Sequence, residues 1–151
     1  MIHFRPIIIQ EDYETLCSWW RDHHVLAVPK MILPRGWMAE ASGVEIAASF
    51  LYMDPGKIGV IEWTTTNPKC AFSRDLLMAV KGLYEHLEAV AKAEGCIAVL
   101  SFVKPKGSEE RIMSKMGYVT SAEDCGHRLY AKPLVGVENY HPPESGVVTC
   151  P

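Results

Sequence analysis

The chain opens on an apolar run, IHFRPIII (residues 2–9), dominated by β-branched residues, and this predicts a strand. Pro6 points to an edge position or a bulge, because proline cannot donate to a central ladder. From Asp12 to about His24 the apolar residues Tyr13, Leu16, Cys17, Trp19 and Trp20 recur at helical spacing. Glu11 and Asp12 stand in the first turn, where negative charge favours a helix start. Residues 25–36 hold Pro29, Pro34 and Gly36, and read as a loop or short broken helix, a natural place for a binding loop. Residues 37–41 and 45–53, parted by Ser42-Gly43, carry the signature of a β-hairpin. Asp54-Pro55-Gly56 then turns the chain into a third strand, residues 57–66.

After this strand the period changes. Over residues 73–94 the positions Leu76, Leu77, Val80, Leu83, Tyr84, Leu87, Val90 and Ala91 mark one face of a long amphipathic helix, which Gly95 ends. Residues 97–103 predict a short buried strand, and 108–116 a further helix stopped by Gly117. Two last strands are expected at 118–123 and 127–132, joined by a turn at 124–126. The fold class is therefore α/β, a mixed sheet of about seven strands in the order β-α-loop-β-β-β-α-β-α-β-β with helices on both faces. Its antiparallel meander comes first, and a helix then crosses over to a parallel neighbour. One domain is expected over residues 1–135. Residues 136–151 have no periodicity and read as an extended or disordered arm, with a partner-binding arm as the alternative.

Composition narrows the function. At 151 residues, 48% apolar and 22% charged, the chain suits one globular domain with a core of its own. A net charge of −3 argues against coating a duplex, although a local basic groove for nucleic acid stays open. Five scattered cysteines with no C-x-x-C pair point to reduced thiols rather than a disulfide framework or a zinc site, and no metal is expected. No apolar stretch approaches the ~20 residues of a membrane helix, and the N-terminus lacks a signal-peptide pattern, so a cytoplasmic protein without membrane partners is expected.

The strand IGVIEWTTTNP (residues 58–68), the long helix running to Gly95-Cys96, and RIMSKMGY (111–118) together resemble the GNAT superfamily of acyl-CoA-dependent N-acyltransferases. RIMSKMGY is similar to that family's LYEKLGF ending, and the likeness covers roughly residues 2–134. Residues 33–54 also resemble compact GNAT-like proteins of bacteriophages. The resemblance implies that the strand at 57–66 splays from the one at 97–103. The pantetheine arm of acetyl-CoA, or of a related acyl-CoA, would lie in that gap, bonded to the backbone of Trp63, Thr64, Thr65 and Thr66. The family's glycine-rich pyrophosphate loop is not matched, because residues 68–75 contain no glycine. Ser73 as a helix N-cap, with Lys69 and Arg74 pairing to phosphate oxygens, would compensate in part, while Asp75 opposes them. The alternative leaves Lys69 and Arg74 as solvated loop charges. The family's general-acid tyrosine aligns with Met113, which cannot donate a proton.

Read on its own, Glu62 is the foremost catalytic candidate. It interrupts a run, residues 58–63, that otherwise predicts a buried central strand covered on both faces. A carboxylate there must be paired or open onto a cleft, and burial would raise its pKa toward that of a general base. The alternative is a structural ion pair with Arg5 or another base. In the pair His23-His24, His24 is a second catalytic candidate, with metal binding or a helix C-terminal dipole contact as alternatives. Trp19, Trp20 and Trp37 could line an aromatic acceptor pocket or simply pack the core. Tyr118 and Tyr130 would be proton donors if they face the cleft, and Glu40 is a further acidic candidate. The leading expectation is acyl transfer to a small-molecule or nucleotide amine. A non-catalytic GNAT-shaped binding protein and a nucleotide- or DNA-modifying enzyme are the alternatives, and a homodimer stays open.

Overall fold

The computed structural model describes residues 1–71, 74–104, 108–120 and 128–136. The expected order of elements is present. It runs β1 (Ile2–Pro6), α1 (Ile9–Asp22), β2 (Arg35–Ala41), β3 (Val44–Met53), β4 (Ile58–Thr66), α2 (Arg74–Ala93), β5 (Ala98–Val103), α3 (Ser108–Lys115), β6 (Val119–Thr120) and β7 (Arg128–Pro133). Among the described residues these strands form one sheet in the order β1-β2-β3-β4-β5-β7-β6. β4 and β5 are parallel and every other neighbouring pair is antiparallel. Pro6 lies on the edge strand. Ser42 and Gly43 form the two-residue hairpin turn, both at positive φ (52° and 76°), the geometry that matches the twist of the flanking strands.

Several boundaries differ from the sequence expectation, among them the end of α1 at Asp22 and the start of β2 at Arg35, inside the expected loop. The first strand stops at Pro6 and α1 starts at Ile9, because Ile8 is extended and its N–H is taken by the Asp12 carboxylate at 2.7 Å. The expected strand at 118–123 is present as Val119–Thr120, and residues 121–127 lie outside the described residues. Residues 137–151, most of the expected C-terminal arm, also lie outside them.

Each face of the sheet has its own core. On one, Leu16, Trp19 and Trp20 of α1 pack on Met38, Ala48 and Phe50. On the other, Ala79, Val80, Leu83, Tyr84, Leu87 and Ala91 of α2 cover Ala39, Ala47, Leu51, Ile61 and Val99, with Met113 of α3 and Met116 just after it joining them. Full burial of side chains of this kind contributes about 1.5–3 kcal/mol each. The approach of α2 is close enough that a Cβ on Gly59 would stand 3.1 Å from Val99 Cγ1 and 3.3 Å from Ala91 Cβ.

The start of α1 is locked by charge. Arg5 donates to both oxygens of Asp12 (2.8 and 2.9 Å), to Glu45 (2.9 Å) and to Glu40. Burial works to raise the Asp12 carboxyl, but hydrogen bonds from Arg5 and the Ile8 amide, with the guanidinium charge, hold it below its usual value.

One irregularity in β4 sets up the site. Phe50 pairs with Glu62, yet Ala48 pairs with Thr65, so Trp63 and Thr64 together face the single residue Ser49. This is a β-bulge, and Trp63 holds it at φ 56°, a conformation a bulky side chain rarely adopts.

Candidate functional site

The parallel pairing of β4 and β5 runs from Ile58↔Ala98 to Ile61↔Ser101 and stops. At the next step the Glu62 carboxylate reaches across and accepts the Phe102 N–H at 3.0 Å, where a ladder bond would otherwise lie. Beyond it the strands fork. A chain of hydroxyls fills the base of the fork, with Ser49 Oγ to Thr64 Oγ1 at 2.9 Å, Thr64 Oγ1 to Tyr84 OH at 3.2 Å, and Tyr84 OH to Ser101 Oγ at 3.3 Å. Tyr84 comes from α2 and is buried. Burial first, then the charges of Glu109 and Glu62, push its phenol well above the ordinary range, so it stays protonated.

A cavity of about 590 Å³ opens along the forked part of β4. Trp63 through Thr66 form one side, and Leu76, Leu77 and Val80 of α2 form an apolar wall. Trp20 of α1 and His23 just past its end close it on another side, with Glu109 and Ile112 of α3. Thr65 is buried, and its Oγ1 has no hydrogen-bond partner among the described residues. A buried hydroxyl in that state is destabilising unless something else binds it. The indole N–H of Trp63 donates to Tyr52 OH (2.9 Å), which donates to the Ile32 carbonyl (2.7 Å), so the bulge is tied to the loop after α1. Glu109 is half-buried, and desolvation together with the charge of Glu62 raises its carboxyl to about 7.

With the strand order, the fork and the cavity in place, the chain can be set beside the solved structures it is similar to. One is an acetyltransferase of the GNAT family from Staphylococcus aureus, with TM-score 0.68 and 12% identity, covering 89% of this chain and 100% of that one. The Escherichia coli ribosomal-protein-S18-alanine N-acetyltransferase superposes with TM-score 0.70 and 12% identity over 93% and 99% of the two chains. A Thermoplasma acidophilum PaiA N-acetyltransferase in complex with coenzyme A gives 0.67 and 14% over 88% and 99%. This chain has the GNAT fold. No protein-family model matches its sequence, and no curated protein does.

Within this GNAT fold the candidate residues separate. Trp63, Thr64, Thr65 and Thr66 all line the cavity. Lys69 and Arg74 are exposed and outside its lining, and Ser73 lies outside the described residues. Glu62 stands at the base of the fork, outside the cavity lining, and does not sit in a strand covered on both faces. Gly59 and Ile61 are buried toward α2, whereas Ile58, Val60 and Glu62 on the other side are half-buried. Nor does Arg5 answer it, being engaged by Asp12, Glu40 and Glu45, which also accounts for Glu40. His24 is exposed at φ 57°, one residue past the helix cap, and outside the lining. Its neighbour His23 takes the cavity position, with Nε2 2.9 Å from the Thr66 carbonyl and 3.0 Å from Thr66 Oγ1.

The aromatic candidates also part company. Trp19 and Trp20 of α1 are both buried and Trp20 also lines the cavity, but Trp37 packs against His86 of α2, ring centroids 5.5 Å apart. Tyr118 is buried with its ring edge-on to Tyr84, and Tyr130 OH donates to Glu110 at 2.8 Å. Neither lines the cavity. Met113 is fully buried in the core. Glu109 is the lining residue that sequence reasoning missed. It had one signal, its position four residues before Met113, which places the two on one face of α3. No helix of the described residues is long and apolar enough to cross a membrane, and no group of three or more metal-ligating side chains occurs among them.

Proposed function

We propose that the chain is an N-acyltransferase that takes its acyl group from acetyl-CoA or a related acyl-CoA and passes it to an amine by direct attack on the thioester. The observation that carries this reading is the fork. A parallel strand pair opens beside a carboxylate, and the backbone of Trp63–Thr66 lines a cavity walled by apolar residues of α2. A pantetheine-type arm fits those residues, since it offers amides to the strand edge and methylenes to Leu76, Leu77 and Val80. The Trp63 and Thr64 amides at the bulge supply donors for the oxyanion of the attacked carbonyl. Glu62 takes the proton from the attacking nitrogen, directly or through a water. Lys69 and Arg74, exposed beside the start of α2, meet the phosphates of the donor.

The acceptor is a small-molecule or nucleotide amine. Among the described residues the cavity lining holds no lysine or arginine, which favours a small molecule over a nucleic acid held by its phosphates. Acetyl-CoA at about 100 times its dissociation constant adds about 2.7 kcal/mol of stability, a rise of several degrees in Tm. Absence of any rise at millimolar acetyl-CoA overturns the reading and leaves a non-catalytic GNAT-shaped binding protein. Release of free CoA thiol across a panel of amines then finds the acceptor. Glu62→Gln should lower that turnover by about 10²–10⁴-fold while the acetyl-CoA melting shift is kept. An unchanged rate removes Glu62 as the base.

A further inference from the structure

Acyl transfer from a thioester leaves a thiolate to be protonated, and Met113, which aligns with the general acid of the resembled family, and the nearby tyrosines and histidine do not serve. Met113 is buried and has no proton to give. Tyr84 stands behind Thr64, its hydroxyl within reach of Thr64 and Ser101, and Tyr130 OH is held by Glu110. His23 is held at the carbonyl of Thr66. Glu109 lies one turn before Met113 on the same face of α3 and lines the cavity together with Thr64 and Ile112.

We propose that Glu109 is the general acid of this site, giving its proton to the departing thiolate while Glu62 accepts a proton from the attacking amine. The assignment rests on the acyltransferase reading above. Glu62 lies outside the cavity lining but near enough for its charge to act on Glu109, and two carboxyl groups in unequal settings can divide acid and base work between them. Glu62 receives the Phe102 N–H, a hydrogen bond that favours its ionised form. Glu109 is desolvated and faces that charge, so with its carboxyl raised to about 7 it keeps a proton near neutrality. Among the described residues the other titratable groups at the cavity are Tyr84, behind Thr64, and His23, just past the end of α1, and no lysine or arginine lines it. Thr65 lines the same cavity beside Thr64, so the wall that Glu109 faces is strand β4 at its bulge.

The step balances. The amine nitrogen forms the C–N bond and gives one proton to Glu62, and the C–S bond breaks with its electron pair on sulfur. The sulfur then takes the proton of Glu109. The products are the amide and the free thiol, and the carboxyl pair resets when solvent carries one proton from Glu62 to Glu109.

The test measures kcat/KM from pH 5 to 9 for wild type, Glu109→Gln and Glu109→Asp, with acetyl-CoA and with an acetyl aryl thioester whose leaving thiol is far more acidic. A melting curve on each variant checks folding. For wild type the rate falls as pH rises through about 7, where Glu109 loses its proton. Glu109→Gln should lose about a hundredfold with acetyl-CoA, lose the alkaline limb, and differ from wild type by less than about threefold with the aryl thioester, which needs no acid. Glu109→Asp should recover part of the rate and restore an alkaline limb. A folded Glu109→Gln that keeps the wild-type rate and alkaline limb, or loses equally with both donors, overturns the assignment and leaves the acyltransferase reading standing. Wild type that gives no acetyl-CoA melting shift overturns both.

Discussion

Arg5→Met tests the ionic lock that holds α1 in place, and its cost follows from the contacts. The Asp12 carboxylate is only 7% exposed and accepts three hydrogen bonds, two from Arg5 and one from Ile8. The substitution removes two of them, leaves the charge in place, and frees Glu40 and Glu45 beside it. Removing one partner of a buried pair costs about 3–5 kcal/mol. Arg5 itself is 27% exposed, so water reaches part of the gap and the lower end, about 3 kcal/mol, is expected. For a chain of this length that is a fall in Tm of roughly 6–12 °C. The sign with pH follows from Asp12. Its folded pKa lies below the unfolded one, so its contribution is complete above the unfolded value, about 3.9, and is lost as pH falls through the folded value. The wild type therefore loses its advantage over Arg5→Met on acidification. Urea unfolding followed by far-UV circular dichroism at pH 7 and at pH 3 should give a wide gap at the first and a narrow one at the second. A gap under 1 kcal/mol at pH 7, or an equal gap at both, refutes the reasoning.

Tyr84→Phe removes the hydroxyl that stands 3.2 Å from Thr64 and 3.3 Å from Ser101, and should cost about 1–2 kcal/mol in thermal unfolding. No loss would mean that the fork does not depend on that chain. The double substitution Lys69→Glu with Arg74→Glu should raise KM for acetyl-CoA about tenfold with kcat little changed, and the effect should shrink at high salt because both side chains are exposed. A KM equal to that of wild type would place the phosphates elsewhere.

The fold was legible because its determinants are local. β-branched runs, the Ser42-Gly43 turn, and the change from period 2 to period 3.6 after Thr66 each act within a few residues, and all agree on one topology. Boundaries failed where a side chain from the next element intervened. Asp12 captures the Ile8 amide and so begins α1 at Ile9, two residues before the acidic pair Glu11-Asp12. The same limit moved the candidate histidine. The helical spacing carries through His24, but α1 stops at Asp22, and the turn that follows swings His24 to positive φ and leaves His23 facing Thr66.

The site was less legible because it depends on a break in the strand's own period. Strict alternation along β4 would put Glu62, Thr64 and Thr66 on one side and Trp63 and Thr65 on the other. The bulge cancels that rule. Phe50 and Ala48 share a face of β3, so their partners Glu62 and Thr65 share a face of β4 although three residues apart. Thr64 then turns toward Tyr84 and joins the hydroxyl chain at the fork, while Thr65 is left with its buried, unpartnered hydroxyl in the cavity wall. Nothing local announces the bulge, since Trp is a poor occupant of positive φ and is held there by its indole bond to Tyr52 across the sheet. Glu109 was hidden for a related reason. In the sequence Ser108-Glu109-Glu110 reads as ordinary acid in the first turn of a helix, where it would serve the dipole in water. Only the packing of Met113 and Met116 into the core turns Glu109 inward with them, and only the fork brings the charge of Glu62 to bear on it. The features that make this corner chemically active are therefore contacts between elements far apart in the chain, which no window of sequence contains.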